Sequence, residues 1–446
     1  MPKRAQWGSR LAFILVAAGS AIGLGNIWKF PYVTGQNGGG AFVLVYLACV
    51  AVVGLPIMIA ELYIGQQSQK NTIDAFEALD KKGTPWRVVG FIGLISAFLI
   101  FSFYSVVGGW VFDFVFKAAT NQFSSNSETE IKGMLGALFS APGTQIFWHG
   151  MFTLVTGTVV IGGIQNGIEK ANKILMPALL GILGFMLIHS MFSSGFGQAM
   201  SFLFSPDFSK LSGEAILEAA GQAFFSLSLG MGTMITYGSY LSKEEKLPRT
   251  AISVAFMDTM MAIVAGIVIF SIVFSHGLEP AAGPSLMFRT MPVLFSKMPG
   301  GMGLAIAFFL LVAFAALTSS VSLIEVVITY FEEKSGLSRK KVTVASCSLT
   351  FLVGILSALS TNILSDFKIL GYTFFDLFDK LTSNIFLPLG GLIISLFFGW
   401  KLGRPAIDAI LGDAPAPMKS GLLWITRVLA PITVGIILIK GWPFSF

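Results

Sequence analysis

The sequence predicts an all-α integral membrane protein of about eleven transmembrane helices, with two five-helix halves whose first helices are broken. Three observations predict it. Of 446 residues, 54% are hydrophobic and 12% charged, whereas a soluble domain carries about 25% charged residues. Apolar windows of spanning length, about 20 residues, fall at 11–36, 40–68, 88–117, 144–163, 172–193, 214–240, 251–275, 301–331, 341–359, 370–399 and 421–440. Segments one and six both carry polar, glycine-rich interruptions, in corresponding places of the two halves.

The first interruption, 19–26, holds Gly19, Gly23 and Gly25 beside Ser20 and Asn26. A bilayer-spanning helix hides its backbone polar groups in its own ladder. Glycines invite that ladder to open, and bared groups at membrane depth are tolerated only where they line a protein cavity. Alone, these residues also fit a glycine-softened helix that packs closely on a neighbour. Segment six repeats the signal with Ser226, Ser228, Gly230 and Gly232. Matched breaks in two halves point to a transporter site. The predicted organisation is one transmembrane domain: a leading segment 1–9, a first repeat 10–195, an inverted repeat 213–400 and a last helix 421–441.

Basic residues set the orientation. Lys3, Arg4 and Arg10, then Lys81, Lys82 and Arg87, Lys170 and Lys173, Lys243, Lys246 and Arg249, and Arg339, Lys340 and Lys341 share one side when the N-terminus is cytoplasmic. An odd number of spans leaves the C-terminus outside, in a plasma membrane. The absence of Asn-x-Ser/Thr sequons fits a bacterial inner membrane. The N-terminus imitates a secretory signal, but its apolar run does not stop at the small residues. The net charge of +6 is spread over short loops, which does not predict nucleic-acid binding. Cys49 and Cys347 lie in apolar segments, without disulfide or metal spacing. Two loops are long. The stretch 123–142 is expected to cap the outside, and 277–299, with Pro280, Pro284 and Pro292, to dip short helical pieces toward a vestibule.

A small hard cation wants several oxygens. Segment one offers bared carbonyls and the Asn26 amide, segment six Ser226, segment seven Asp258, and segment eight Thr318 and Ser319. Thr318 and Ser319 also fit plain back-bonding to the preceding turn. Intramembrane carboxylates are costly and read as functional. Glu61 and Asp258 are the deepest, and Glu61 could hold freed backbone N–H groups. Asp113 and Glu325 fall nearer the interfaces and receive no role. His149, His189 and His276 lie near segment ends, far apart and without ligand spacing, so a membrane enzyme is not expected. A channel would need a continuous polar pore, but the polar groups converge on one midplane spot. A proton-coupled carrier using Asp258 or Glu61 stays open on residue chemistry alone.

Arg10, the run from Gly19 through Trp28 to Pro31, 37–42 (Asn-Gly-Gly-Gly-Ala-Phe), Pro56, Glu61, 167–170 (Gly-Ile-Glu-Lys), 226–230 (Ser-Leu-Ser-Leu-Gly) and 317–320 (Leu-Thr-Ser-Ser) resemble the neurotransmitter:sodium symporter family. The likeness covers segments one to ten and is similar to the bacterial amino-acid branch. It implies the inverted-repeat, LeuT-type fold and symport of hydrophobic L-amino acids with two sodium ions. No organic cofactor is implied, and no oligomeric state. One sodium would take the Ala21 carbonyl, Asn26, Ser226, Asp258 and the substrate carboxylate. A second would take carbonyls of Gly19, Ile22 and Ala315 with Thr318 and Ser319. The substrate carboxylate would face the N–H groups of Gly23, Leu24 and Gly25 and the Tyr104 hydroxyl. Its ammonium would face carbonyls of Phe225 and Ser228. Ser20, Ile100, Val107, Phe225, Met231, Ser320 and Leu323 would line the side-chain pocket.

Two departures are informative. Monoamine carriers of the family are expected to place Asp where this chain has Gly23, so the substrate here should bring its own carboxylate. Asp258 replaces an expected Asn, and its charge is expected to stand in for the chloride that animal members hold near Tyr46, Gln222 and Ser226. The resemblance also implies gates: Tyr104 and Phe225 over the substrate, Lys29 with Asp379 above them, and Arg4 with Glu333 at the inner face, with Trp7 and Tyr240. In segment five Gly167 and Pro177 would let the helix start unwind.

Overall fold

The computed structural model describes residues 4–280 and 286–442. Lys3 and Pro284 therefore lie outside the described residues. Every named element is a helix, with one isolated bridge between Ile369 and Tyr372. Nine continuous helices among the described residues are long and apolar enough to span: Gly40–Ser68, Arg87–Ala119, Pro142–Ile161, Ile164–Met191, Leu247–Ser275, Gly301–Ser335, Arg339–Leu359, Phe374–Leu411 and Ala416–Lys440. A tenth is the pair Arg10–Ala21 and Gly25–Gln36, bent by 52°. Between the fifth- and seventh-segment positions of the sequence reading sit Gly213–Ser226 and Thr233–Gly238, each too short to cross alone. Together they form the broken sixth segment, and the order of all the segments follows the sequence reading. The protein is a multi-pass membrane protein.

Burial separates centre from rim. Helix Gly301–Ser335 hides 78% of its most apolar window, Leu247–Ser275 72% and Arg87–Ala119 67%. Helix Ala416–Lys440 hides 17% and Ile164–Met191 28%, so these two face lipid. The broken segments lie against the central helices, and their polar interruptions are inside the protein.

Each break has a local cause. Ser9 caps the first helix, its hydroxyl accepting from the Ala12 N–H at 3.1 Å. The helix runs to Ala21, where Ile22 turns extended at φ −73°, ψ 100°. The second break lies between Ser226 and Thr233, with Gly230 and Gly232 both at φ +78°. Gly230 is required twice over, because a Cβ there would meet the Leu387 carbonyl oxygen at 2.2 Å. Its N–H donates to the buried Glu61 carboxylate at 2.7 Å. Glu61 thus accepts from a backbone N–H freed at the second break.

The two long loops meet and cap one end of the helices. Glu128–Phe139 begins in a capping box between Ser127 and Glu130. Glu128 pairs with Lys132, and with Lys297 at 2.7 Å across the next long loop. Hydrogen bonds from these ammonium groups hold the Glu128 carboxyl down at about 2. The clasp is therefore present above the ordinary carboxylate range and opens only as pH falls through that value. In the second loop Leu286, Met287 and Phe288 are buried, and the Phe288 ring meets Trp28, Trp110 and Phe114.

Glu61→Ala is expected to leave the Gly230 N–H without an acceptor and to cost about 1–3 kcal/mol. Glu61→Gln keeps a carbonyl acceptor and should cost less. Thermal unfolding of the purified protein in detergent ranks the two; equal losses would separate Glu61 from the break.

Candidate ion and substrate site

The two breaks face one another. Ser228 sits at φ +54°, a left-handed conformation costly for a side-chain-bearing residue. Its hydroxyl donates to the Ser20 carbonyl at 3.0 Å, and the Ser20 hydroxyl donates to Ser322 at 2.7 Å. Asn26 bridges its own break, its Oδ1 accepting from the Gly23 N–H at 3.0 Å.

Asn26, Ser226 and Asp258 meet in one fully buried cluster. The Asn26 amino group donates to the Asp258 carboxylate at 2.8 Å and to its backbone carbonyl at 3.0 Å. Ser226 Oγ lies 2.9 and 2.8 Å from the two carboxylate oxygens, and Tyr46 Oη lies 3.5 Å from one of them. The groups acting on Asp258 are Asn26, Ser226 and Tyr46, all neutral; among the described residues no cationic side chain pairs with it. A buried carboxylate without a counter-charge is costly. This corner therefore attracts a cation.

A second cluster lies on the other side of the first break. Ser319 Oγ is 3.5 Å from the Gly19 carbonyl oxygen, 3.1 Å from that of Ser20 and 3.4 Å from that of Ile22. Ser228 also serves the Ser20 carbonyl, but one Ser319 proton cannot serve both the Gly19 and Ile22 carbonyls. Thr318 Oγ1 lies 3.1 Å from the Phe314 carbonyl and 3.0 Å from that of Ala315. Thr318 thus back-bonds as a helical threonine does, and still adds its oxygen to the group. The result is an oxygen-rich spot short of donors, as a small hard cation requires.

Between the clusters lies a cavity of about 30 Å³, lined by Ser20, Ala21, Gly23, Leu24, Gly25, Ile100, Tyr104, Phe225, Ser226, Ser228, Met231, Ser319, Ser322 and Leu323. The Leu24 N–H reaches Tyr104 Oη at 3.4 Å. A Cβ on Gly23 would lie 2.5 Å from Ser319 Oγ, so an Asp there would crowd the second cluster.

The opposite end of this axis is shut. Arg4 forms an ion pair with Glu333, donates to Ser239 Oγ and lies 4.7 Å from the Tyr240 ring centre. Trp7 stands edge-on to Tyr237 and Tyr240, its Nε1–H donating to the Tyr237 carbonyl at 3.1 Å.

The model of the sodium:neurotransmitter symporter family matches residues 4–132 and 135–441. The chain belongs to that family. It is 38% identical over 444 residues to YhdH, an uncharacterized sodium-dependent transporter of Bacillus subtilis, covering 98% of both chains. It is 25% identical over 494 residues to a sodium- and chloride-dependent betaine transporter of Caenorhabditis elegans, covering 97% of this chain and 80% of that one. Among solved structures, MhsT in complex with L-phenylalanine matches with a TM-score of 0.90 and 44% identity, over 99% of this chain and 100% of that one.

Several expectations about this symporter need correction. Ser320 does not line the cavity; its hydroxyl donates to the Leu317 carbonyl at 2.8 Å and lies 2.8 Å from Thr156 Oγ1. Ser319, Ser322 and Leu323 share the cavity face at helical spacing, and Ser320 is turned about 100° away. Val107 is buried but likewise not among the lining residues. Lys29 and Asp379 make no direct salt bridge among the described residues, although Asp379 is the leading charge acting on Lys29. The Lys29 ammonium sits 4.7 Å from the Phe225 ring centre, a cation–π seat, while Asp379 accepts from Ser383 at 3.0 Å. His149 is fully buried, stacked on Phe351 with Nε2 3.1 Å from the Phe351 carbonyl.

Glu325, which received no role, is fully buried behind the Arg4–Trp7–Tyr240 cluster. It is bound by Arg339 from the next helix and by the Tyr240 hydroxyl at 2.9 Å. The available signal was an arginine opening the helix that follows a carboxylate-bearing span. Gly167 lies in a wide turn, Ile164–Glu169, and Pro177 inside the helix Lys170–Met191. A Cβ on Gly167 would meet the Val159 carbonyl at 2.1 Å, so close approach demands glycine there before any flexibility does.

Trp7→Ala should cost about 3–5 kcal/mol of local packing. Hydrogen exchange of 233–242 is expected to rise strongly while that of the Arg87–Ala119 helix stays unchanged. Unchanged exchange in 233–242 would show that the ring does not hold the inner face shut.

Proposed function

We propose that this symporter imports hydrophobic L-amino acids, aliphatic and aromatic, with two sodium ions and without chloride. The observation that carries this reading is the pairing of two cation-seeking oxygen clusters with a cavity between two helix breaks. The first ion is assigned to the Ala21 carbonyl, Asn26, Ser226, Asp258 and the substrate carboxylate. Asn26 must turn its amide for this, because its amino group now faces Asp258 as a cation would. The second ion is assigned to carbonyls of Gly19, Ile22 and Ala315 with Thr318 and Ser319.

A zwitterion complements the breaks. N–H groups of Gly23, Leu24 and Gly25 begin a half-helix and favour an anion. Carbonyls of Phe225 and Ser228 end another and favour an ammonium. Because the substrate carboxylate completes one sodium shell, each ligand strengthens the other, and that coupling drives symport. Gly23 supports a substrate that carries its own carboxylate. Met231 adapts its shape to different side chains, and the small cavity must widen by moving it with Phe225. The relative solved with L-phenylalanine supports an amino acid of this class.

Asp258 supports chloride independence. Tyr46 and Ser226, which the family resemblance would put around chloride, contact its carboxylate instead. Gln222 does not; it donates to the Gly25 carbonyl at 2.9 Å. The basic loops support a cytoplasmic N-terminus and an external C-terminus, with the Arg4–Glu333 side facing the cytoplasm.

An inward charge gains about 2.3 kcal/mol per 100 mV. A tenfold gradient adds about 1.4 kcal/mol. Two sodium ions then supply about 7 kcal/mol, enough to concentrate a scarce nutrient.

Uptake into proteoliposomes, with sodium, proton and chloride gradients imposed separately, tests the reading. Uptake should require sodium at fixed pH and persist when gluconate replaces chloride; collapse in gluconate would remove Asp258 from the chloride role. Asp258→Asn should raise half-saturating sodium about tenfold. Leucine and tryptophan should bind within about 4 kcal/mol of each other; a wider gap would refute a broad pocket.

A further inference from the structure

Asn172 is an unexplained polar group at the edge of the second oxygen cluster. It lies on the helix Lys170–Met191, midway between Gly167 and Pro177, and is 1% exposed. Its amino group donates to the Ile168 carbonyl of the same helix at 2.9 Å, which fixes the rotamer. Its Oδ1 is buried and has no hydrogen-bond partner.

That oxygen points at the first helix break. A Cβ built on Gly19 would lie 2.4 Å from it, with Met176 Sδ and Thr318 Cβ each at 3.2 Å. Gly19 therefore lacks a side chain where the Asn172 oxygen needs the room. The Gly19 carbonyl and the Thr318 hydroxyl are both assigned to the second ion. An unpaired buried carbonyl is a standing cost. A cation passing beside it would repay that cost, since an amide oxygen is a good ligand for a small hard ion. One turn closer to the basic end, Glu169 is 4% exposed and accepts from the Gly8 N–H at 2.9 Å and from Lys173 at 2.6 Å. Positions 172 and 169 lie on one helix face, so an amide oxygen and then a carboxylate descend from the cluster toward the inner surface.

We propose that Asn172 Oδ1 is the relay ligand that takes the second sodium ion as it leaves the Gly19–Thr318–Ser319 cluster for the cytoplasm. This rests on the sodium-symport reading above. Asn172 holds no ion at rest in this scheme. It replaces one ligand of the departing ion before water can, when the stretch between Gly167 and Pro177 loosens. Its effect falls on release rather than on equilibrium binding.

The test uses the full-length protein reconstituted in proteoliposomes, with sodium and labelled leucine as probes. Asn172→Ala should leave half-saturating sodium for leucine binding within about twofold of wild type and slow turnover about fivefold or more. Asn172→Asp puts a charge beside the ion and should lower half-saturating sodium about threefold or more. That shift reads whether position 172 faces the ion, and slowed turnover at unchanged sodium dependence in Asn172→Ala is what a purely structural asparagine would not give. Wild-type turnover in Asn172→Ala, or an unchanged sodium dependence in Asn172→Asp, overturns the relay. If Asn172→Ala no longer binds leucine at saturating sodium, Asn172→Asp decides alone. Sodium-independent leucine binding by the wild type would instead bring down the symport reading itself.

Discussion

A backbone group bared in mid-membrane must find its partner inside the protein, and most of this architecture answers to that constraint. The breaks free both N–H groups and carbonyls, but the protein treats the two unequally. Freed donors are met by strong acceptors: Glu61 takes the Gly230 N–H, and Asn26 takes that of Gly23. Freed carbonyls at Gly19, Ser20 and Ile22 have two serine hydroxyls among the three of them: Ser319 at 3.1 to 3.5 Å, and Ser228 on the Ser20 carbonyl alone. The deficit of donors is what makes the site a place for cations. A helix that merely kinked at its glycines would have left neither surplus.

Charge follows the same division. Around Trp7 the carboxylates have cations: Glu333 has Arg4, and Glu325 has Arg339. These pairs lie beside Trp7, Tyr237 and Tyr240, so no carboxylate named there is buried without a counter-charge. At the midplane Asp258 has only neutral partners. Paired charges hold shut a door that needs no ligand. The unpaired charge lies where a ligand must matter.

Much of this was legible in the sequence. The breaks were, because glycine clusters interrupting two apolar segments in matched positions have few physical alternatives. Glu61 and Asp258 were, because a carboxylate deep in a span needs a reason. What failed was whatever depends on helical phase and tilt. Ser320 and Ser322 are equally good candidates in a string of letters, and only the rotation of Gly301–Ser335 about its axis tells them apart. Glu325 counts as interfacial along the sequence, yet that helix continues to Ser335 and carries it well inside. Lys29 feels the Asp379 charge as expected, but its ammonium seats on the Phe225 ring rather than in a direct ion pair. Asn172 carries no signal in the sequence, because its meaning is an oxygen left unpaired against a glycine on another helix.

Replacing a neutral amide by Asp258 changes how the membrane potential acts on the proposed cycle. With Asp258 ionised, the empty site carries one negative charge, and a site loaded with two sodium ions and a zwitterion carries one positive charge. An inside-negative potential then draws the loaded site inward and drives the empty one outward. Each full charge crossing the membrane is worth about 2.3 kcal/mol per 100 mV. With an amide there, the empty site would be neutral and the whole electrical drive would fall on the loaded step. Asp258 therefore leaves the total drive per cycle unchanged and divides it between the two legs. A scavenger that must return its empty site quickly to the outside gains from that division even when the sodium gradient is small.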